Sequence, residues 1–309
     1  MVALHDVVLC GLRIQSEIAI DVLPPWAGPA DASVDVTIRL GEVPALDVGG
    51  PVYVGVMEDE SAIVIAQGVG RFRVSSGTTV IAQPEAGVHP GAIEMIIIGP
   101  VFGALCYQRN IQALHCNTVV INGKAVALAG PSGAGKSTLA AVLAGRGHSL
   151  IADDVLAITP EPKGPQGVQG MVAHTGNRFL RLLPQTLELL GRDPSGLRRA
   201  STGERDKYFL PPPPDADILP SYPLAALVWL AATPAKVEKI SYIKGMVEKA
   251  QGIQIATYRG YLAREYIRRG RSALGDMSLP GVDFYVMIRP RDLTRLDRQA
   301  DMIEALVAG

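Results

Sequence analysis

The chain has 309 residues, 48% of them hydrophobic, with 29 Lys and Arg against 30 Asp and Glu for a formal net charge of −1. That length supports one large or two smaller hydrophobic cores, and the charge balance leaves no basic field of the kind that marks a nucleic-acid partner. Cys10, Cys106 and Cys116 have neither metal spacing nor even pairing, which predicts small buried apolar groups in a reducing, cytoplasmic setting.

The first residues carry no basic n-region and no long apolar h-region, so a signal peptide is not expected. The first hundred residues read as β-structure. Val34, Val36, Ile38 and Leu40 alternate with polar residues, the period-2 mark of a strand with one wet face. Short apolar runs follow at Val52–Val56, Ala62–Ala66, Arg71–Val74 and Thr79–Ala82 with Gly, Ser, Asp or Pro at each junction, which predicts a sheet of short antiparallel strands. The most apolar stretch, Ile93 to Cys106, is broken by Glu94 and by Gly99-Pro100 and is read as too interrupted to span a bilayer. A helix is expected from Val101 to Ile111, with Pro100 near its first turn. A boundary near residue 110 then divides a β-rich domain, 1–110, from an α/β domain, 111–309.

Val119-Val120-Ile121, the turn pair Asn122-Gly123 and Lys124–Ala129 form a predicted hairpin, Asn-Gly favouring a type I′ turn. The second strand runs into Gly130-Pro131-Ser132-Gly133-Ala134-Gly135-Lys136-Ser137, which fits G-x-x-x-x-G-K-[ST], and Thr138–Ala144 reads as the helix leaving it. A glycine-rich loop can turn its N–H groups onto a phosphate, and the following helix adds its positive N-terminal end. ATP with Mg²⁺ is the ligand this P-loop predicts. Gly130, Ser132, Gly133, Ala134, Gly135, Lys136, Ser137 and Thr138 are its binding residues, with Lys136 on the β/γ-phosphates and Ser137 on the metal.

Past a helix stop at Gly147, the run Leu150 to Ile158 reads as one buried strand carrying Asp153 and Asp154. A P-loop enzyme needs an acid on a neighbouring strand, and alternation along a strand predicts that two adjacent aspartates face opposite sides and do different work. Sixteen residues separate Lys136 from Asp153, so the acid directly follows the P-loop helix, unlike the distant acid of transport ATPases. Residues Thr159 to Gly170 read as a loop, Phe179 to Leu190 as part helix, and Pro211 to Pro214 as a stiff linker. Leu224–Leu230 and Phe284–Ile288 are core strands, and Leu293 to Val307 closes the chain as a helix.

His115, the hairpin, the G-P-S-G-A-G-K-S loop and Arg146-Gly147-His148-Ser149-Leu150-Ile151-Ala152-Asp153-Asp154 together resemble the catalytic domain of HPr kinase/phosphorylase. The resemblance covers about a quarter of the chain strongly. It implies an α/β P-loop kinase fold and transfer of the γ-phosphoryl group to a serine hydroxyl of a peptide or small protein. It also implies a homo-oligomeric habit. By the same resemblance Asp153 takes the serine proton, Asp154 supports the site and the metal, and His115 lies beside the phosphates. Thr138 stands where the bifunctional enzymes usually carry Glu. The chain is therefore more similar to stand-alone HPr-kinase-like proteins, among them kinases of the C-terminal serine of lasso-peptide precursors. A regulatory ATPase, a small-molecule kinase and a scaffold that holds nucleotide for stability are the other readings the loop allows. His148 is expected at the C-terminal end of the P-loop helix as a structural residue. Arg178 and Arg181, Arg198-Arg199, Arg205 and Lys207, and Arg264 to Arg271 are the basic groups that could meet a carboxylate or the transferred phosphate.

Overall fold

The computed structural model describes residues 3–161, 170–200, 206–213, 218–234, 237–271, 278–290 and 292–308. Seven short strands come first: β1 (His5–Leu9), β2 (Leu12–Ser16), β3 (Val36–Leu40), β4 (Val52–Val56), β5 (Ala62–Ala66), β6 (Gly70–Ser75) and β7 (Thr79–Pro84). They form one sheet in the order β1-β2-β3-β7-β6-β5-β4. Tight turns make β1 with β2, and β4 through β7, antiparallel neighbours. β3 instead runs parallel to both β2 and β7. The sheet is thus mixed rather than wholly antiparallel, because the long connections on either side of β3 let the chain cross over before it pairs.

The helix that follows is longer than the sequence predicts. α1 (Pro90–Ile96), a π turn over Ile97–Val101 and α2 (Phe102–Gln108) are continuous over Pro90–Gln108. It begins at Pro90, where the His89 side chain caps it by accepting from the Gly91 N–H at 3.1 Å. Pro100 lies inside the π turn, which absorbs the missing N–H that would break a regular helix. Glu94 and Gly99-Pro100 therefore do not interrupt it, and by length and composition this helix could cross a membrane. Here 78% of its most apolar window is buried inside the protein. Phe102, Leu105 and Tyr107 join Phe72 and Val80 of the sheet and Tyr258, Leu262 and Tyr266 from later in the chain in one apolar core. The helix ends close to the expected boundary near residue 110, yet that core is continuous across it. Cys10, Cys106 and Cys116 are free and buried, and burial pushes the thiols of Cys10 and Cys116 up to about 12, as suits inert apolar groups.

The second sheet is built from β8 (Gln112–Leu114), β9 (Cys116–Ile121), β10 (Lys124–Ala129), β11 (Ser149–Ala152), β12 (Leu156–Pro160) and β13 (Met171–His174). Its other members are β16 (Ser221–Ala232), β17 (Lys239–Tyr242) and β18 (Asp283–Arg289). β14 (Leu180–Leu182) and β15 (Tyr208–Leu210) make a separate ribbon around α4 (Pro184–Leu189), which Pro184 begins at its first position. β9 and β10 are the predicted hairpin, with Asn122 at φ 51° and Gly123 at φ 73° as a type I′ turn requires. β10 then pairs in parallel with β16, and β16 with β18, so three strands end at the same edge. The loop 130–135 leaves that edge and enters α3 (Lys136–Gly145). In an α/β sheet this carboxyl edge is where ligands bind. α5 (Met246–Ala256), α6 (Gly260–Arg268) and the closing α7 (Leu296–Glu304) complete the chain.

The Arg146-Gly147-His148 stretch is a clamp. Arg146 reaches Asp297 at 2.9 Å and Asp301 at 2.7 Å, and His148 Nε2 lies 2.9 Å from Glu304 Oε1, so the end of α3 is fastened to α7. The bonds that Arg146 donates to Asp301 and Asp297 raise its pKa above the usual guanidinium range. Pro211 to Pro213 have no regular structure, while Pro214, Arg205 and most of the expected loop from Thr159 to Gly170 fall outside the described residues.

Candidate functional site

The glycines of the 130–135 loop are dictated by close approach. Gly130 has φ 147°, and a Cβ on it would come within 2.7 Å of the Leu230 carbonyl oxygen. Gly135 has φ 84°, and a Cβ there would meet Arg289 Nη2 at 2.7 Å. Ser132, Gly133, Gly135, Lys136, Ser137 and Thr138 line a cavity of about 180 Å³. Gly130 lies behind that wall against Leu230, and Ala134 is buried in the core with its N–H on the Pro131 carbonyl. Lys136 Nζ donates back to the Gly130 carbonyl at 2.8 Å. Burial draws its pKa down, opposed in part by Asp154.

Three strand ends converge on this loop. Asn117 sits on β9 opposite Leu128 of β10, and Ala152 of β11 sits opposite Thr118. The predicted strand through the two aspartates is two strands: β11 stops at Ala152 and β12 starts at Leu156. Asp154 occupies the break with φ 74°, a left-handed value that turns the chain sharply. Alternation therefore does not govern the pair, and one guanidinium holds both. Arg181 Nε lies 2.9 Å from Asp153 Oδ2, and its Nη2 lies 3.0 Å from Asp154 Oδ1.

The two carboxylates nevertheless have different surroundings. Asp153 has a side chain only 2% exposed, and its Oδ1 accepts from Asn117 Nδ2 at 2.5 Å and faces Ser137 Oγ at 3.4 Å. Asp154 is 27% exposed, lines the cavity and lies 3.2 Å from His115 Nε2. Burial opposes ionisation of Asp154, but Arg181 and His115 outweigh it and hold the carboxyl well below the usual carboxylate range. Burial likewise disfavours the Arg181 charge, and Asp154 and Asp153 more than restore it. His115 is placed by its backbone N–H on the Ala256 carbonyl and by an edge-on contact with the Tyr258 ring, 6.0 Å between centroids.

Residues 109–182 match the family model described as the HPr Serine kinase C-terminal domain. This segment is HPr-kinase-like. A solved structure described as the Hpr(Ser) kinase/phosphatase from Coxiella burnetii is 17% identical and covers 64% of this chain and 88% of its own, with a TM-score of 0.35. Comparison with curated proteins gives no match. The HPr-kinase-like segment contains His115, Asn117, the whole loop, both aspartates and Arg181.

Lys207 also reaches the cavity from outside that segment. Asn117 went unread in the sequence, although a polar residue in the otherwise apolar strand Cys116–Ile121 is the signal that could have found it. Of the other basic candidates, Arg178 Nε donates to the Leu150 carbonyl at 2.8 Å, and Arg198 pairs with Glu94. Arg199 pairs with Asp206, and Arg268 and Arg269 pair with Glu265. The residues present fit a polyphosphate and a divalent cation. The loop is cleared of side chains where backbone must approach, an ammonium rests on a loop carbonyl, and a hydroxyl faces a carboxyl group.

Proposed function

We propose that the protein is an ATP- and Mg²⁺-dependent kinase that transfers the γ-phosphoryl group to a serine hydroxyl of a peptide or small protein. One observation carries this reading: the phosphate-type loop, His115, Asp154 and Arg181 line one cavity, with Asp153 held behind it by the same Arg181. Bound Mg·ATP would supply the phosphoryl group and the charge neutralisation that loosens it. The loop 130–138 and Lys136 hold phosphate, and Ser137 holds the metal with Asp153 behind it.

The geometry favours a division of labour between the aspartates opposite to the one the family resemblance implies. Asp153 is enclosed and its oxygens are engaged by Asn117, Arg181 and Ser137, which supports a role on the metal side. Asp154 stands on the cavity wall with His115, where an incoming hydroxyl can reach it, so Asp154 receives the serine proton. Arg181 bonds both acids and with His115 keeps Asp154 ionised, and a loose phosphoryl-transfer transition state asks positioning of them more than basicity.

Incubation with Mg·ATP and two acceptors, a peptide ending in Ser such as a lasso-peptide precursor and a small protein with an internal Ser, tests the reading by mass spectrometry. Phosphoserine on either acceptor is the expected result. Release of inorganic phosphate with no modified acceptor would instead assign a regulatory ATPase.

A further inference from the structure

Arg289 closes β18 and is 4% exposed, one of the few buried charges among the described residues. It pairs with Ala232 of β16, beyond Trp229, which stands beside Ala129 at the end of the strand that feeds the loop. The guanidinium thus reaches the loop from the β16 and β18 side, whereas Asn117 and the two aspartates reach it from the β9 and β11 side. It lies against Gly135 at the N-terminal end of α3, where a Cβ would fall 2.7 Å from Nη2 and 3.5 Å from Nη1. Among the described residues its Nε and Nη1 have no hydrogen-bond partner. Glu238, the carboxylate that acts on it, is itself fully buried and engaged by Arg295 at 3.1 Å and Arg298 at 3.7 Å. Burial accordingly pulls the Arg289 pKa below the usual guanidinium range, and Glu238 only partly restores it.

A buried guanidinium with two idle donors is costly, and such groups are kept where an acceptor completes them. The helix end beside it adds positive potential, so the acceptor that fits is an anion. We propose that Arg289 is a second cation of the phosphate site, donating through its terminal nitrogens, which face the loop at Gly135, to phosphate oxygens of the nucleoside triphosphate on the 130–138 loop. Lys136 and Arg289 then hold the same polyphosphate from different strands. The end-on fork of Nη1 and Nη2, the two nitrogens nearest Gly135, suits two oxygens at once, which a lysine at this position cannot match. This inference rests on the nucleotide reading above.

Calorimetric titration of the full chain with Mg·ATP, tripolyphosphate and adenosine tests it, alongside the melting temperature without ligand. Arg289→Gln is expected to weaken Mg·ATP and tripolyphosphate at least tenfold and to leave the unliganded melting temperature unchanged or higher, since an unpaired buried charge is removed. Arg289→Lys should recover part of the tripolyphosphate affinity. Tripolyphosphate affinity within twofold of wild type in Arg289→Gln, or a loss confined to adenosine, would overturn the proposal. So would a fall in unliganded melting temperature that accompanies equal losses for all three ligands, because that is the pattern of a structural brace. Should the wild-type chain bind neither Mg·ATP nor tripolyphosphate, the nucleotide reading itself would fall and Arg289 with it.

Discussion

Arg181 donates from Nε to Asp153 Oδ2 at 2.9 Å, and the same guanidinium turns its Nη2 onto the next residue, Asp154. Without that cation, burial is the leading influence on Asp154, and it acts to protonate it. Arg181→Gln should therefore move the acid limb of the pH–rate profile upward by about one unit or more, a shift each unit of which corresponds to ~1.4 kcal/mol. The sign for stability follows from the depressed value of Asp154 in the folded chain. Its contribution is present above the unfolded carboxylate value of about 3.9 and is lost as pH falls through the lower folded value. Acid unfolding of Arg181→Gln should begin at higher pH than in wild type, which circular dichroism would follow.

The aspartates should separate in their effects. Asp154→Asn is expected to keep Mg·ATP affinity within a few-fold while phosphoryl transfer drops roughly 10²–10⁴-fold, the usual range for a lost proton acceptor. Asp153→Asn should instead weaken the Mg²⁺ dependence of binding, because Asp153 faces the Ser137 hydroxyl. Titrations at several Mg²⁺ concentrations, with single-turnover rates, distinguish the two. The reverse pattern would restore the family's assignment of the proton to Asp153.

Lys136 rests on the Gly130 carbonyl, with a pKa that burial has lowered below 10.5. A phosphate would favour the charged form, so nucleotide binding above neutral pH should take up protons. ATP affinity should accordingly fall as pH rises through the lowered lysine range. Lys136→Ala should cost roughly ten- to hundredfold in affinity, as expected for a charge-assisted hydrogen bond, and should abolish the pH dependence. Calorimetry in buffers of different ionisation enthalpy measures both.

Outside the site, Glu94 has a side chain 1% exposed on the long helix and is held by Arg198 at 2.8 Å and by the Asp21 N–H at 2.6 Å. Arg198→Ala leaves that carboxylate buried without its cation. A loss of about 2 kcal/mol is expected, below the ~3–5 kcal/mol of a fully buried pair because Arg198 is itself 32% exposed. Urea denaturation gives the value, and Glu94→Gln in the Arg198→Ala background should recover part of it.

Much of the site was legible because it is local. A glycine pattern between an apolar run and a small-residue helix can be read from spacing, and so can the Asn122-Gly123 turn, since both depend on backbone freedom at fixed positions. The long helix differs from its expected bounds for the complementary reason. Pro100 breaks a regular helix, but a π turn packed on all sides accommodates it, and only the surrounding core supplies that packing. The break between β11 and β12 differs from the single strand expected: aspartate tolerates a left-handed φ, but whether Asp154 adopts it in an apolar run is decided by its tertiary partners Arg181 and His115.

By itself the sequence determined the loop, the hairpin that leads into it, the two adjacent acids and the histidine, all within the segment that is HPr-kinase-like. Tertiary structure decided which acid faces the cavity and placed Asn117, Arg181 and Lys207 around it. It also brought Arg289, more than 150 residues beyond the loop, against Gly135. The physical reason is that glycine spacing constrains the backbone within a few residues, while the partner of a buried charge is chosen by which strand ends the sheet sets side by side.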